Sequence, residues 1–503
     1  MLPSQFSKIM RGGGAGIVGE GVFLLLGFVI VFLSVKILGT EEYGIFVLAL
    51  TIMHILEVIC KQGLHKGMLK QITQFYAQGM HAKANAVFRY STVRTFLMAL
   101  LICVVTVLSA GILVHFFNKD AVLRIYLITL NCMLPFTVAF ALFLSALQAV
   151  GRVGRMVVLE KIYKPGATAC LLALVFILSQ HLALSNTVFF LLVQSIVFIS
   201  VCILAYGMLR GSGISLSHPG QEFNKKEYLH FSYPLLFQGI IGLVTTWTST
   251  LMIAYFIINP QEIGAFNIIF KISSFCVIAL MSLDRAFAPV IGELYYKNAQ
   301  EDLLKTYRNV TRLSLTGAFL VFAAIVFLGK DALRLFDESY IASYIPLIIL
   351  CIGRVVDASV GSVAYILLMT GRSKIILFNS IITLTINIIL NYLLIPRFGL
   401  WGAALATAIS YSLKNVIWML FVYWKLRLHP YDKGYFKTIF IFSGCFAVAV
   451  LFKYFLPAHW IAATFNLVTF FCLFGLTYFW WGLDDDDRVI FRIVGNRLGI
   501  NSR

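Results

Sequence analysis

The chain has 503 residues, 60% of them hydrophobic and 12% charged, with a mean hydropathy of +0.90. Soluble chains run about 45–50% apolar and ~25% charged, so a soluble enzyme, a disordered protein and an ordinary nucleic-acid binder are excluded, despite a net charge of +18. Apolar blocks of about 20 residues predict an all-α polytopic membrane protein.

In chain order, apolar blocks between charged or Gly/Pro breaks predict fourteen spans. The first six lie near 14–38, 44–62, 92–117, 122–149, 156–179 and 183–209. The next six lie near 232–258, 263–284, 311–329, 342–369, 374–395 and 400–424, and a last pair near 436–456 and 460–482. Lys8 and Arg11 precede the first block, which is too long for a signal-peptide core and reads as an uncleaved span. With fourteen crossings, 30 Lys and Arg fall on the side of the N-terminus, 7 on the other and 3 inside spans. Cytoplasmic loops are the basic ones, so both termini are expected in the cytoplasm, and the chain in the cell (inner or plasma) membrane. The inner loops near 65–90, 210–230 and 285–310 mix charge with aromatic residues, the composition of interfacial helices or of solvated connectors. The tail Arg488-Val489-Ile490-Phe491-Arg492 alternates basic and apolar residues, which suits an anionic leaflet.

An internal repeat organises these spans. Ile37, Glu42, Gly44 and Phe46 recur 220 residues later as Ile257, Glu262, Gly264 and Phe266. Gly151-Arg152 recurs as Gly371-Arg372, and Leu127, Ile128 and Leu130 as Leu347, Ile348 and Leu350, at the same offset. The unit contains six spans, so two lobes related by a pseudo-two-fold along the membrane normal are expected. The boundaries are an N-terminal lobe over 1–215, a C-terminal lobe over 216–430, an extra helix pair over 431–483 and a basic cytoplasmic tail over 484–503.

Several motifs carry no chemistry. Gly14-Ala15-Gly16-Ile17-Val18-Gly19 fits a dinucleotide fingerprint, but that needs a strand before it; close helix packing explains the small residues better. Asp484-Asp485-Asp486-Asp487 has no second acidic cluster with which to hold magnesium. The nine cysteines lie at least 27 residues apart and mostly within apolar blocks, without metal or disulfide spacing. No cofactor, metal site, nucleic-acid partner or enzymatic constellation is expected.

The stretch Leu38-Gly39-Thr40-Glu41-Glu42-Tyr43-Gly44-Ile45-Phe46 resembles the polysaccharide-biosynthesis (Wzx-type) flippases of the multidrug/oligosaccharidyl-lipid/polysaccharide exporter superfamily. The likeness continues through Gly63-Leu64, Ala288-Pro289, Leu368-Met369-Thr370-Gly371-Arg372-Ser373 and the run from Asn391 to Ala404, covering roughly residues 5–425. It implies a MATE-like alternating-access transporter that flips a polyprenyl-diphosphate-linked oligosaccharide to the outer leaflet. It also implies membrane lipids as partners, H+ or Na+ as coupling ion, and association with glycan polymerisation machinery. Fourteen spans are similar to the lipid II flippase branch, so the glycan stays open.

The ionisable residues inside spans are the candidate sites. A charge at the bilayer centre costs about 2.5–3.5 kcal/mol on insertion scales, so Lys271, Arg354 and Lys414 should face a wet cavity. Their repeat equivalents are Thr51, Leu134 and Gln194, which confines the cations to the C-terminal half. Such a cavity suits the diphosphate that the resemblance implies. Asp357 shares a helical face with Arg354 and either supports it or forms a buried structural pair with it. Glu57/Lys61 and Glu160/Lys164 have helix-surface pair spacing. Glu20 has no partner nearby in sequence and reads as a coupling carboxylate or an interfacial one. An ion-coupled drug or metabolite exporter of the same superfamily would want an acidic cavity. A membrane polymerase or prenyltransferase would want a large outer loop or paired aspartate motifs. A passive scramblase stays open.

Overall fold

A computed structural model describes residues 3–119, 121–179, 186–214, 216, 222–453 and 460–482, with side chains from residue 20 onward except at 238, 373, 453, 460 and 462. The tail 484–503 and its four aspartates lie outside the described residues. Within those residues the elements are all helices joined by turns, because an unpaired backbone N–H or C=O in hydrocarbon costs several kcal/mol and a helix pairs each one internally. Helices α1 (Pro3–Leu38), α2 (Thr40–Lys61), α3 (Leu64–Ala77) and α4 (His81–Phe116) open the fold. They are followed by α5 (Ala121–Cys132), α6 (Leu134–Ala149), α7 (Val153–Val157), α8 (Lys164–Ser179) and α9 (Asn186–Arg210). The C-terminal half holds α10 (Lys225–Phe256), α11 (Gln261–Ser274), α12 (Ile278–Tyr296), α13 (Gln300–Phe336) and α14 (Tyr344–Val360). Then come α15 (Val363–Met369), α16 (Ser373–Phe398), α17 (Leu400–Leu426), α18 (Lys433–Lys453) and α19 (Trp460–Thr477).

Among the described residues, thirteen stretches are long and apolar enough to cross a membrane, fourteen if α5 and α6, bent by 40° at Met133, count as one. The basic loops are shorter than the sequence suggests, because helices continue through them. The 36 residues of α4 extend about 54 Å against roughly 30 Å of hydrocarbon, so its basic first turns project beyond it. Residues 64–77 of the first long basic loop form α3, whose polar and apolar residues segregate to opposite faces.

Helix bounds repeat at the offset seen in the sequence. His81–Phe116 corresponds to Gln300–Phe336, and the stretch from Val153 to that from Ser373. The turn between them is the same twice over: Gly151 has φ 77° and Gly371 φ 75°. The Arg152 N–H donates to Leu147 O at 2.9 Å, and the Arg372 N–H to Leu367 O at 2.8 Å.

The chain divides into two compact units. One contains Val22–Ile268 and Asn387–Ala403; the other contains Met1–Gly21, Ile269–Ile386 and Ala404–Arg503. In the first unit the two repeated loops, 37–46 and 257–266, meet. A Cβ on Gly44 would run into the Pro260 carbonyl, so only glycine lets the backbones approach. Tyr43 donates to Asn267 Oδ1 at 2.9 Å, and Lys119 Nζ donates to the Ile257 and Ile258 carbonyls at 2.8 and 2.5 Å. Glu42 accepts from Tyr126 and Thr187 at 2.8 and 2.5 Å. In the second unit α18 and α19 pack on α13 through phenylalanines: Phe319 stacks on Phe442 with centroids 4.0 Å apart, and Phe327 lies 6.2 Å from Phe470. The pair outside the repeat is therefore anchored by an aromatic seam.

Candidate functional site

Helices α11, α14 and α17 bring the mid-span cations of the second unit onto a shared aromatic frame. The Arg354 guanidinium of α14 lies 4.9 Å from the Phe270 ring of α11 and 4.9 Å from the Tyr411 ring of α17. Lys414 Nζ lies 4.8 Å from Tyr411 and 5.1 Å from Trp418. Tyr411, Lys414, Asn415 and Trp418 fall at i, i+3, i+4 and i+7, one face of α17, so the ring that supports Arg354 also supports Lys414. Rings hold cations in an apolar setting through their quadrupoles, each contact contributing about 0.5–2 kcal/mol.

Asp357 provides the acidic partner. Arg354 Nη1 is 3.8 Å from its Oδ2, and Asn415 Nδ2 donates to its Oδ1 at 2.5 Å. The Arg354 and Asp357 side chains are 14% and 17% exposed, so this pair is screened by little water. Close contact of α14 and α17 makes the reach possible: a Cβ on Gly353 would sit 2.9 Å from Ala408 Cα and Cβ. Lys271, next to Phe270, is half-buried and makes no ion pair or hydrogen bond with any described residue. The sequence placed Lys271, Arg354, Lys414 and Asp357 separately; the structure pairs Arg354 with Asp357, links Arg354 to Lys414 through the shared Tyr411 ring, and leaves Lys271 as the chain neighbour of Phe270, whose ring Arg354 contacts. Phe270, Tyr411, Trp418 and Asn415 were missed. Their signal was helical spacing about the ionisable positions, which aromatic-rich spans hide.

The other candidates form separate arrangements. Glu57 in α2 lies 3.0 Å from Lys61 Nζ and 3.3 Å from His54 Nδ1, and His54 stacks on Trp247 with centroids 5.8 Å apart. These belong to the first unit. Glu20, without a partner nearby in sequence, is 4% exposed and ion-paired with Arg285 of α12. The spacing of Glu160 and Lys164 misleads: a π-helical stretch, Val158–Tyr163, replaces the regular turn. Lys164 lies instead over Phe198 at 4.8 Å and Phe140 at 5.6 Å, and no ion pair joins it to Glu160. Asp284, beside Arg285, was also missed; its Oδ1 is buried without a hydrogen-bond partner. The described residues contain no cluster of metal-ligating side chains.

The chain is similar to "Probable low-salt glycan biosynthesis flippase Agl15" of Haloferax volcanii, 24% identical over 45% of this chain and 48% of that one. It is also similar to "Capsular polysaccharide biosynthesis protein CapF" of Staphylococcus aureus, 25% identical over 45% of this chain and 57% of that one. The matches span about half the length of these relatives. In fold it resembles "Lipid II flippase MurJ, inward closed conformation", with a TM-score of 0.71 and 12% identity over 95% of this chain and 99% of that one. An inward-facing multidrug resistance MATE family transporter matches with a TM-score of 0.68 and 13% identity over 82% of this chain and 98% of that one. The MatE family matches residues 234–393, and the polysaccharide biosynthesis protein family matches residues 9–295. A match over more than half of the chain, on a fold of membrane-length helices, places it: this is a member of the polysaccharide biosynthesis protein family.

Proposed function

We propose that the protein flips a polyprenyl-diphosphate-linked oligosaccharide from the cytoplasmic to the outer leaflet, its diphosphate received by Lys271, Arg354 and Lys414. The observation that carries this is the imbalance of charge: three cations in apolar helices, of which, among the described residues, Arg354 alone is paired with a carboxylate, that of Asp357, while Lys414 lies over aromatic rings. A diphosphate restores the balance, with Arg354 giving a planar fork of donors and the lysines point charges. The glycan and capsule names of the relatives favour a sugar-bearing cargo over a drug. The charge bias of the loops supports cytoplasmic termini and an outer position for the 37–46 and 257–266 loops.

Alternating access belongs to the same proposal, and transport requires those two loops to separate. An inside-negative potential favours outward movement of an anion by about 2.3 kcal/mol per charge per 100 mV, so two negative charges gain roughly 4–5 kcal/mol if the cations stay behind. Export then needs no ion antiport. Proton or sodium coupling through Glu20 would first have to break its pair with Arg285. In cells depending on this protein, Lys271→Gln at normal abundance should make the lipid-linked oligosaccharide accumulate on the inner leaflet. Normal carrier turnover with that variant would refute the role of the cations.

A further inference from the structure

The first unit holds a cavity lined by a second group of cations. It measures about 770 Å³, with walls from α4, the end of α2 and the start of α10. Its walls differ in chemistry from one end to the other. Arg89, Arg94, Lys225 and Glu222 line it together with Val93, and past Arg94 along α4 its lining is the apolar Leu97, Met98 and Leu101. The change falls where α4 changes character, since from Thr95 to Phe116 the helix carries no Asp, Glu, Lys or Arg. The cavity therefore straddles the boundary between headgroup and hydrocarbon.

Its cationic end is held in place. Arg94 donates from Nε to Gln62 Oε1 at 2.9 Å, from Nη1 to Tyr90 OH at 2.8 Å and from Nη2 to Tyr233 OH at 2.8 Å. Five N–H groups are available on a guanidinium, so two remain for a ligand. Lys225 Nζ lies 5.7 Å from the Tyr90 ring. Tyr90 in turn packs edge-on against Phe223 and Tyr228, and the buried Tyr228 hydroxyl donates to Leu64 O at 2.9 Å. Fixing these side chains before a ligand arrives removes much of the ordering cost of binding. Three cations face one carboxylate, so the headgroup end selects for an anion. Val93, Leu97 and Leu101 recur at every fourth residue and are 47%, 60% and 56% exposed, an apolar track about 12 Å long leading away from the charges. A soluble anion would leave that track empty.

We propose that this cavity binds the phosphate-bearing headgroup of an anionic lipid, with its hydrocarbon chain along Val93, Leu97 and Leu101. Two lipids share that chemistry, an anionic phospholipid and a polyprenyl diphosphate, and the proposal stands whether or not the protein flips the second. Native mass spectrometry of the full-length protein in detergent tests it, with phosphatidylglycerol, undecaprenyl diphosphate, phosphatidylcholine and inorganic pyrophosphate as separate probes. Phosphatidylglycerol, undecaprenyl diphosphate or both should bind in preference to phosphatidylcholine. The Arg89→Gln/Lys225→Gln double variant, which alters side chains on the rim, should weaken that binding about thirtyfold. Loss of only the polyprenyl diphosphate would identify a docking point for carrier, and loss of only phosphatidylglycerol a site for bulk lipid. Unchanged binding of both in the double variant would overturn the proposal. So would pyrophosphate binding as tightly as the lipids, because the apolar track would then contribute nothing. Lipid binding is read without transport, so its failure leaves the flipping proposal standing, and the failure of flipping leaves this one standing.

Discussion

At the scale of single residues, the geometry separates what Arg354 does from what any cation would do there. Its guanidinium contacts two rings and Asp357 at once, a flat arrangement that an ammonium cannot reproduce. Arg354→Gln is therefore expected to abolish transport, and Arg354→Lys to recover only part of it, with a rate about tenfold or more below wild type. A charge-assisted hydrogen bond contributes about 1.5–3 kcal/mol, which sets that scale. Equal transport rates for Arg354→Lys and wild type, at equal abundance, would show that only the charge matters. The cations and Asp357 were legible in the sequence because a charge inside an apolar block stands out. Their aromatic supports were not, because Phe270, Tyr411 and Trp418 look like any other span residues. The Glu20–Arg285 pair was hidden for a different reason: its members are far apart in the chain, and sequence spacing speaks only for neighbours along one helix.

Among elements, the contact of α14 with α17 is the one on which the cluster depends. Gly353→Val would push α14 off Ala408, and overpacking of this kind costs about 1–3 kcal/mol. A lowered thermal midpoint in detergent together with lost transport is expected; an unchanged midpoint and rate would show that the close approach is dispensable. A second element-level expectation concerns α3, which lies between the spans. Burial, with Lys61 and Lys66 nearby, pushes the His65 pKa down to about 4. An unfolded histidine takes up its proton near 6.5, so between these values the unfolded state binds more protons. Stability should therefore fall as the pH is lowered from 6.5 toward 4. His65→Gln should reduce that fall, and midpoints at pH 7 and pH 5 that respond identically in both proteins would contradict it. Spans and turns were largely legible, since apolar length and the glycines after α6 and α15 mark them. Breaks inside spans were not. The 40° bend at Met133 and the π-helical stretch at Val158–Tyr163 lie just before Pro135 and Pro165, whose missing N–H interrupts the helical ladder, but apolar periodicity runs through both and hides them.

Across the whole molecule, the duplication was visible in the chain and recurs in the helix bounds, at a shared offset of 220 residues for the turns at Gly151 and Gly371. The packing units cut that pattern differently: one takes in α10 and the start of α11 together with 387–403, groupings that depend on long-range contacts. Sidedness is a further whole-molecule expectation. Cysteines introduced at Gly79 and Tyr431 should resist an impermeant reagent outside sealed cells, whereas one at Glu41 should react. Labelling of position 79 or 431 from outside would invert the topology. The central claim is that the cations of the second unit carry the diphosphate across, and its most direct measurement is flipping of a lipid-linked oligosaccharide by purified protein in proteoliposomes under an imposed potential. Wild type should flip faster when the potential draws the anion outward, and Lys271→Gln should lose both the rate and its voltage dependence. Flipping by Lys271→Gln at the wild-type rate, with the same response to voltage, would contradict the claim.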